Sequence, residues 1–249
     1  MTGGENIERW DRLASEWSNW LDVHADPAGR AFADAIRHAI VRALPTAPRT
    51  RALDLGCGSG ELLEELALHY QTAVGFDGSK EMVGLARTRR PEGAHLTFVA
   101  DATREFPFAD GTYDLVVSSM VLMCVDDFSG TIAEVSRVLR DGGEFILTVT
   151  HPCFSFMRRH FAAGTHRYVE TLSTEHRLGP TFPAVRHYHR PLQDYVAELA
   201  RHGFVLRALT EISPQDGEDP AAIARLRPYF LTANAILLHA YKGPAPWRT

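Results

Sequence analysis

The sequence predicts an α/β protein built on a mostly parallel sheet, and three observations carry that expectation. From residue 51 onward, short β-branched runs alternate with amphipathic stretches whose apolar residues recur at helical spacing. The first strand-to-helix junction is glycine-rich and reads "GCGSG" from Gly56 to Gly60. The 249 residues, 45% hydrophobic and 23% charged, have the composition of a globular chain long enough to bury a sizeable core.

Before the alternation, "IERWDRLASEWSNWLDVHADPAGRAFADAIRHAIVRAL" reads as mostly helical with a break around Asp26 and Pro27, and "PTAPRT" as a connector. "RALDL" is then a buried strand and "GELLEELALHY" a helix. "TAVGFD" is a second strand, "SKEMVGLARTRR" a helix, "AHLTFVAD" a third strand, and "YDLVVSSMVLM" contains a fourth. "FSGTIAEVSRVLR" is helical, "DGG" a turn, and "EFILTVT" the fifth strand. This rhythm specifies right-handed crossovers and a parallel sheet. From His151 to Arg190 the rhythm breaks. That stretch has no clean period, carries half of the chain's 12 histidines, and includes Pro152, Pro180 and Pro183. An irregular excursion of this length inside a domain is usually functional. The rhythm resumes with the helix "PLQDYVAELARHG", which has Pro191 at its start and Gly203 past its end. "FVLRALTEI" is a strand, "PQDGEDPAAIARLRPY" an excursion with a short helix, and "FLTANAILLHAYK" the last strand.

The net charge of −5 draws the chain to neither nucleic acid nor anionic lipid. "RTRR" (Arg87 to Arg90) reads as the basic end of a helix, complementing its dipole. The start, "MTGGENIERWDR", lacks the apolar core of a signal peptide, and the apolar runs are too short to span a bilayer. Cys57, Cys124 and Cys153 are widely spaced and odd in number, which fits a reduced, cytoplasmic protein.

Gly56, Gly58 and Gly60 allow a tight turn and close approach of a ligand to the main chain. A dinucleotide loop places its third glycine at position 61, where this chain has Glu61, and the Lys-Ser/Thr ending of a phosphate loop is absent. Asp54 beside the loop would repel a pyrophosphate and favour a cationic ligand.

With these motifs the chain resembles the class I S-adenosylmethionine-dependent methyltransferases of the ubiquinone-biosynthesis or methyltransferase-11 type. "DLGCGSG" matches the first motif. Asp77 in "VGFDGS", about 20 residues on, matches the acidic residue that takes the ribose hydroxyls. "VADA" matches the third motif, "FPFADGTYDLVVSSMVL" the fourth and "VLRDGGEFILTV" the hairpin into the fifth strand. The resemblance implies a Rossmann-like seven-stranded sheet, mostly parallel with an antiparallel last strand, and helices on both faces. A helical N-terminal segment and an irregular cap would complete it. It implies one domain over 1–249, with a lid at 1–48, a cofactor-binding core at 49–150, an acceptor-side cap at 151–190, and a C-terminal helix and strands at 191–249. It further implies S-adenosylmethionine as cofactor, S-adenosylhomocysteine as product and no metal.

By the same resemblance Asp54, Gly56, Cys57, Gly58, Gly60, Asp77, Gly78 and Ser79 surround the cofactor. Asp101 would face the adenine amino group, the Ala102 backbone the ring edge, and Ser118 and Ser119 the methionine portion. Met82 either packs on adenine or is a core helix residue. "WDRLASEW" puts Trp10 and Trp17 where relatives carry lid tyrosines; they either wall the site or lie on the buried face of an amphipathic helix.

Methyl transfer needs alignment in a dry pocket, worth up to about 7–11 kcal/mol. A general base adds about 10²–10⁴-fold when the acceptor must lose a proton. His151 follows the fifth strand, and His187 and His189 would share a face if "RHYHRP" is extended. His151 and His189 are therefore candidate bases, although a His-Pro can also simply cap a strand. Trp10, Met123, His151, Phe154, His187 and His189 are the candidate acceptor contacts. Phe154, Phe156, Phe161, Tyr168 and Phe182 favour a small, partly hydrophobic acceptor, and Arg158, Arg159, Arg186 and Arg190 could clamp a carboxylate. The predicted activity is methylation of a small molecule at oxygen or nitrogen by a monomer or homodimer. The competing readings are an NAD(P)-dependent oxidoreductase and a non-catalytic or repurposed relative.

Overall fold

The computed structural model describes residues 3–19, 27–46, 49–90, 96–100, 105–156, 166–177, 182–213 and 232–243. Two helices come first, α1 (Gly3–Asn19) and α2 (Pro27–Ala43), and Pro27 opens the second as the sequence break predicts. The alternating core follows: β1 (Arg49–Leu55), α3 (Leu63–His69), β2 (Tyr70–Asp77), α4 (Lys80–Arg89), β3 (Leu96–Ala100), β4 (Tyr113–Ser119), α5 (Phe128–Val138) and β5 (Leu139–Thr150). The remainder is α6 (Pro152–Phe156), β6 (Leu172–His176), β7 (Val185–His189), α7 (Leu192–Arg201), β8 (Phe204–Ile212) and β9 (Ala235–Lys242).

Seven strands form one sheet in the order β3-β2-β1-β4-β5-β9-β8. The pairs among β1 to β5 are parallel, and β9 runs antiparallel to both β5 and β8. This is the expected Rossmann-like sheet with its last strand reversed. The order switches direction at β1 and β4, so the crevice at their carboxyl ends is where such a sheet binds ligands.

Period-two alternation divides the core strands between two apolar clusters. Ala52, Leu115, Val117 and Ile146 face Ile36, Ala39 and Ile40 of α2, Leu63 and Leu66 of α3, and Val83 and Ala86 of α4. Leu53, Val116, Leu147 and Val149 face Phe128, Ile132 and Val135 of α5, and Tyr195 and Leu199 of α7. Helices therefore cover both faces. Two of them start on capped turns: Ser79 accepts from Met82 N at α4, and Asp127 accepts from Gly130 N at α5.

The structure corrects three expectations. "DGG" is no separate turn, because β5 runs unbroken from Leu139 and absorbs extra residues. Tyr113 pairs with Leu139, but Leu115 pairs with Glu144, and Gly142 takes a φ of 69° to let the strand bulge. The helix after the glycine loop starts at Leu63 rather than Gly60, since the loop itself takes up those residues. The excursion after β5 is less irregular than its composition suggests. It holds the short α6 and an antiparallel hairpin, β6–β7, pairing Leu172 with His189 and His176 with Val185.

A third apolar cluster joins α1 to the rest: Leu13 and Ala14 pack with Met82 of α4 and with Phe182 and Val185 at the hairpin, flanked by Trp10 and Trp17. Polar contacts pin the same helix. Buried Asn6 donates to Cys124 O (2.7 Å) and accepts from Arg186 N (2.8 Å), while Arg9 Nη1 donates to Glu175 Oε1 (2.8 Å) and Ala184 O (3.2 Å). Asn6→Ala leaves a backbone donor and acceptor unmet, a loss of about 1–3 kcal/mol confined to the docking of α1. Amide exchange in α1 should accelerate while the sheet core keeps its protection.

Candidate cofactor and acceptor site

The loop after β1 is a tight backbone cradle. Gly56, Gly58 and Gly60 have φ values of 75°, 53° and 82°, a region that L side chains rarely adopt. Gly56 N and Cys57 N both donate to Phe76 O (2.7 and 3.2 Å), and Gly60 N donates to Cys57 O (2.8 Å). The glycines serve different ends. A Cβ on Gly56 would lie 2.3 Å from Val121 Cγ2, so this residue permits contact with the segment after β4. A Cβ on Gly58 would meet nothing within 4 Å, so Gly58 faces open space.

Asp77, at the end of β2, accepts from Gly58 N (2.9 Å) through one carboxylate oxygen and from Ser79 N (2.8 Å) through the other, across the bend at Gly78. Ser79 Oγ donates to Asp11 Oδ1 (2.6 Å), and Trp17 Nε1 donates to Ser59 Oγ (3.0 Å), which donates in turn to Glu61 Oε1 (2.5 Å). Helix α1 thus reaches both edges of the cradle. Trp17 lies edge-on to Trp10 at 6.4 Å and 6.4 Å from Phe182, so both tryptophans wall the lid junction. Met82 is buried in that junction.

Carboxylates dominate the electrostatics. Asp54 is 2% exposed, and burial, with Glu61 and Asp77 adding like charge, pushes its pKa up to about 8. Burial also raises Asp77, against the two backbone donors that favour its ionised form. The Cys57 thiol, in the same field, is driven well above its usual value, chiefly by desolvation, and is no ready nucleophile.

At the end of β4, Ser118 Oγ is wholly buried and lacks a protein hydrogen-bond partner, and Ser119 Oγ accepts from Thr148 Oγ1 (3.4 Å). Met120 follows with a φ of 59°, a strained conformation for a non-glycine residue, held by Met120 N donating to Thr148 O (2.9 Å). Met123, in the helical turn Leu122–Cys124, is buried in the cluster on the α5 and α7 side.

His151 is 5% exposed. Its Nε2 lies 3.1 Å from Glu211 Oε1 and its ring 4.6 Å from that of Phe154. His187 and His189 occupy the extended strand β7 and so share a face, but in different surroundings. His187 is buried and stacks on His176 at 4.9 Å; His189 Nε2 lies 2.8 Å from Tyr168 O, and burial lowers its pKa. Of the candidate arginines, Arg190 is 6% exposed and donates to Leu122 O (3.0 Å), Val125 O (2.6 Å) and Asp126 O (3.3 Å), with its guanidinium 4.8 Å from the Phe128 ring. It holds the backbone after β4 and is committed there. Arg186 donates to Ser173 Oγ (3.4 Å). Asp101, Ala102, Arg158, Arg159 and Phe161 lie outside the described residues. Among the described residues there is no cluster of three or more His, Cys, Asp or Glu able to hold a metal, and no helix long and apolar enough to cross a membrane.

A parallel sheet with a glycine cradle at its switch point and a carboxylate closing the second strand defines a class: Rossmann-like domains that bind a nucleoside-containing cofactor. Residues 53–147 match the family model described as a methyltransferase domain. The chain is 40% identical over 112 residues to a demethylmenaquinone methyltransferase of Beutenbergia cavernae, covering 45% of each protein. It is 29% identical over 192 residues to a ubiquinone biosynthesis O-methyltransferase of Rhizobium etli, covering 68% of this chain and 76% of that one. The chain spans about half the length of the first curated relatives it matches, 50% and 45% for two of them. A putative S-adenosylmethionine-dependent methyltransferase from Listeria monocytogenes has the same fold, with a TM-score of 0.70 at 23% identity over 85% of this chain and 100% of that one.

The residues present fit S-adenosylmethionine. Buried Asp54 and partly buried Asp77 suit its cationic and hydroxyl groups, Gly58 leaves space beside the main chain, and Ser118 Oγ, without a hydrogen-bond partner among the described residues, lies at the adjacent strand end. A bound cation favours ionised Asp54, so below pH 8 binding should release a proton. Affinity should rise with pH up to about pH 8 and flatten above it, and Asp54→Asn should weaken binding and remove the slope; calorimetry at several pH values measures both. The glycines should separate likewise. Gly56→Ala should cost about 2–5 kcal/mol from overpacking plus backbone strain, whereas Gly58→Ala should cost about 1–2 kcal/mol yet impair cofactor binding. Thermal melts and binding titrations distinguish them.

Proposed function

We propose that the protein transfers the methyl group of S-adenosylmethionine to oxygen or nitrogen of a small, partly hydrophobic metabolite in the cytoplasm. The observation that carries this reading is a pair of carboxylates, buried Asp54 and partly buried Asp77, around a positive-φ glycine cradle bonded to helix α1. A pyrophosphate-bearing nicotinamide cofactor would be disfavoured by Asp54 beside the loop, and its third glycine is replaced by Glu61.

When bound, the cofactor supplies an activated methyl group on a sulfonium centre. Asp77 would hold the ribose hydroxyls and Asp54 would balance the positive charge. Lid helix α1 and hairpin β6–β7 exclude water above the cradle, held to each other by Asn6 and Arg9. His151, beyond the end of β5 and walled by Phe154, receives the proton that a hydroxyl or amine acceptor loses. His189 is the second candidate for that role. Its low pKa keeps it neutral near pH 7, but its Nε2 contact to Tyr168 O ties that nitrogen to the hairpin. The match to a demethylmenaquinone methyltransferase and a ubiquinone biosynthesis O-methyltransferase supports a quinone-like, ring-bearing acceptor.

The test incubates the protein with S-adenosylmethionine and a panel of catechol, a naphthohydroquinone and an aromatic amine, reading methylated product and S-adenosylhomocysteine. Submillimolar affinity for NADH with none for S-adenosylmethionine would overturn the reading. His151→Ala should lower turnover about 10²–10⁴-fold without loss of cofactor affinity. Wild-type turnover in both His151→Ala and His189→Ala would leave alignment as the enzyme's whole contribution.

A further inference from the structure

The ends of β5, β9 and β8 are laced together beyond the regular ladder. His151 N donates to Asn234 O (2.8 Å) and Asn234 N donates to Ile212 O (2.8 Å), so His151 and the end of β8 sit on opposite sides of β9. Val149 pairs with Ile236, which pairs with Glu211. Val149 and Ile236 both pack in the α5 and α7 cluster, so period-two alternation puts His151 and Glu211 on that same face. Two strand spacings, about 9–10 Å, separate their backbones, and only long side chains close that gap. They do, with Nε2 and Oε1 3.1 Å apart. The imidazole is 94% buried as a side chain while the carboxylate is 60% exposed.

We propose that Glu211 is a positioning residue that fixes the tautomer and orientation of His151, an assignment that rests on His151 handling the acceptor's proton. A carboxylate only accepts, so the neutral imidazole carries its hydrogen on Nε2 and its lone pair on Nδ1. Phe154 limits the ring's rotation from the other side. In the reaction the acceptor's O–H or N–H bond would break with its electron pair kept on the heteroatom, which would bond the methyl carbon as the carbon–sulfur bond broke with its pair to sulfur, and the proton would move to Nδ1. The imidazolium so formed gains a charge-assisted bond to Glu211. The exposed carboxylate places that charge beside bulk water, which then takes the proton. Sixty residues separate the two partners, and Glu211 comes from the edge strand rather than from any sequence motif described above.

Long-range proton–nitrogen NMR of histidine-labelled protein reads the tautomer without any acceptor. Wild type and Glu211→Gln, whose amide oxygen still accepts, should show the Nε2–H form of His151, and Glu211→Ala a mixture. With the panel acceptor, Glu211→Ala should lower kcat about 10-fold or more, part of a general base's contribution, with KM for S-adenosylmethionine unchanged. Glu211→Gln should recover much of that loss. An unaltered tautomer or an unaltered kcat in Glu211→Ala overturns the proposal, and if that variant fails to fold, a wild-type kcat with a mixed tautomer in Glu211→Gln does the same. Wild-type turnover in His151→Ala overturns the proton-handling reading instead, and the two failures are told apart by which variant keeps its rate.

Discussion

Asp77 is the tie on which the functional edge depends. One carboxylate joins the loop after β1, through Gly58 N, to the start of α4, through Ser79 N. Ser79 caps α4 and also bonds Asp11 of the lid, so three elements that are distant in sequence meet within two hydrogen bonds of one side chain. A buried carboxylate is costly unless charge-assisted donors satisfy it, and backbone N–H groups are donors that cannot swing away. The cradle is therefore held by the chain's own hydrogen bonds, with buried Asp54 alongside.

The segment after β4 is organised differently. There the chain after β4 has poor secondary structure of its own, and Arg190 compensates by donating to three of its carbonyls while stacking on Phe128 and Tyr188. Asn6 adds a bond from the lid to the Cys124 carbonyl in the same segment. Lid, hairpin and β4 turn consequently share contacts, and a displacement of one strains the others. The left-handed Met120 sits in the middle of this arrangement, where backbone strain is tolerated only because the surroundings hold it.

Much of the sheet was legible in the sequence because its strands are buried and its helices amphipathic, two periods that differ plainly. The glycine cradle was legible because its positive-φ turns demand glycine at those positions, and Asp77 through the resemblance to a family with a carboxylate at that spacing. The hairpin β6–β7 was not. Its strands alternate half-buried and exposed positions, as in "LSTEH", and carry histidine and arginine where core strands carry valine and leucine. The fate of Arg190 was equally hidden, since a basic residue beside a pocket reads as a ligand clamp until its backbone acceptors are seen. Asp11 carried a readable signal as part of "WDRLASEW", whereas Asn6 and Glu211 carried none, because their partners come from remote segments.

The strand order has a consequence for synthesis. β9, the last described strand to leave the ribosome, lies between β5 and β8, both made before it. Until it emerges, β5 offers an unpaired apolar edge and β8 has no sheet to join, so the nascent chain must shelter a template for misassociation. β8 itself remains an edge in the finished molecule, with a register shift between Leu206 and Ala208. A bulge there twists the edge away from any flat partner, so an edge left open among the described strands is also shaped against recruiting a foreign one.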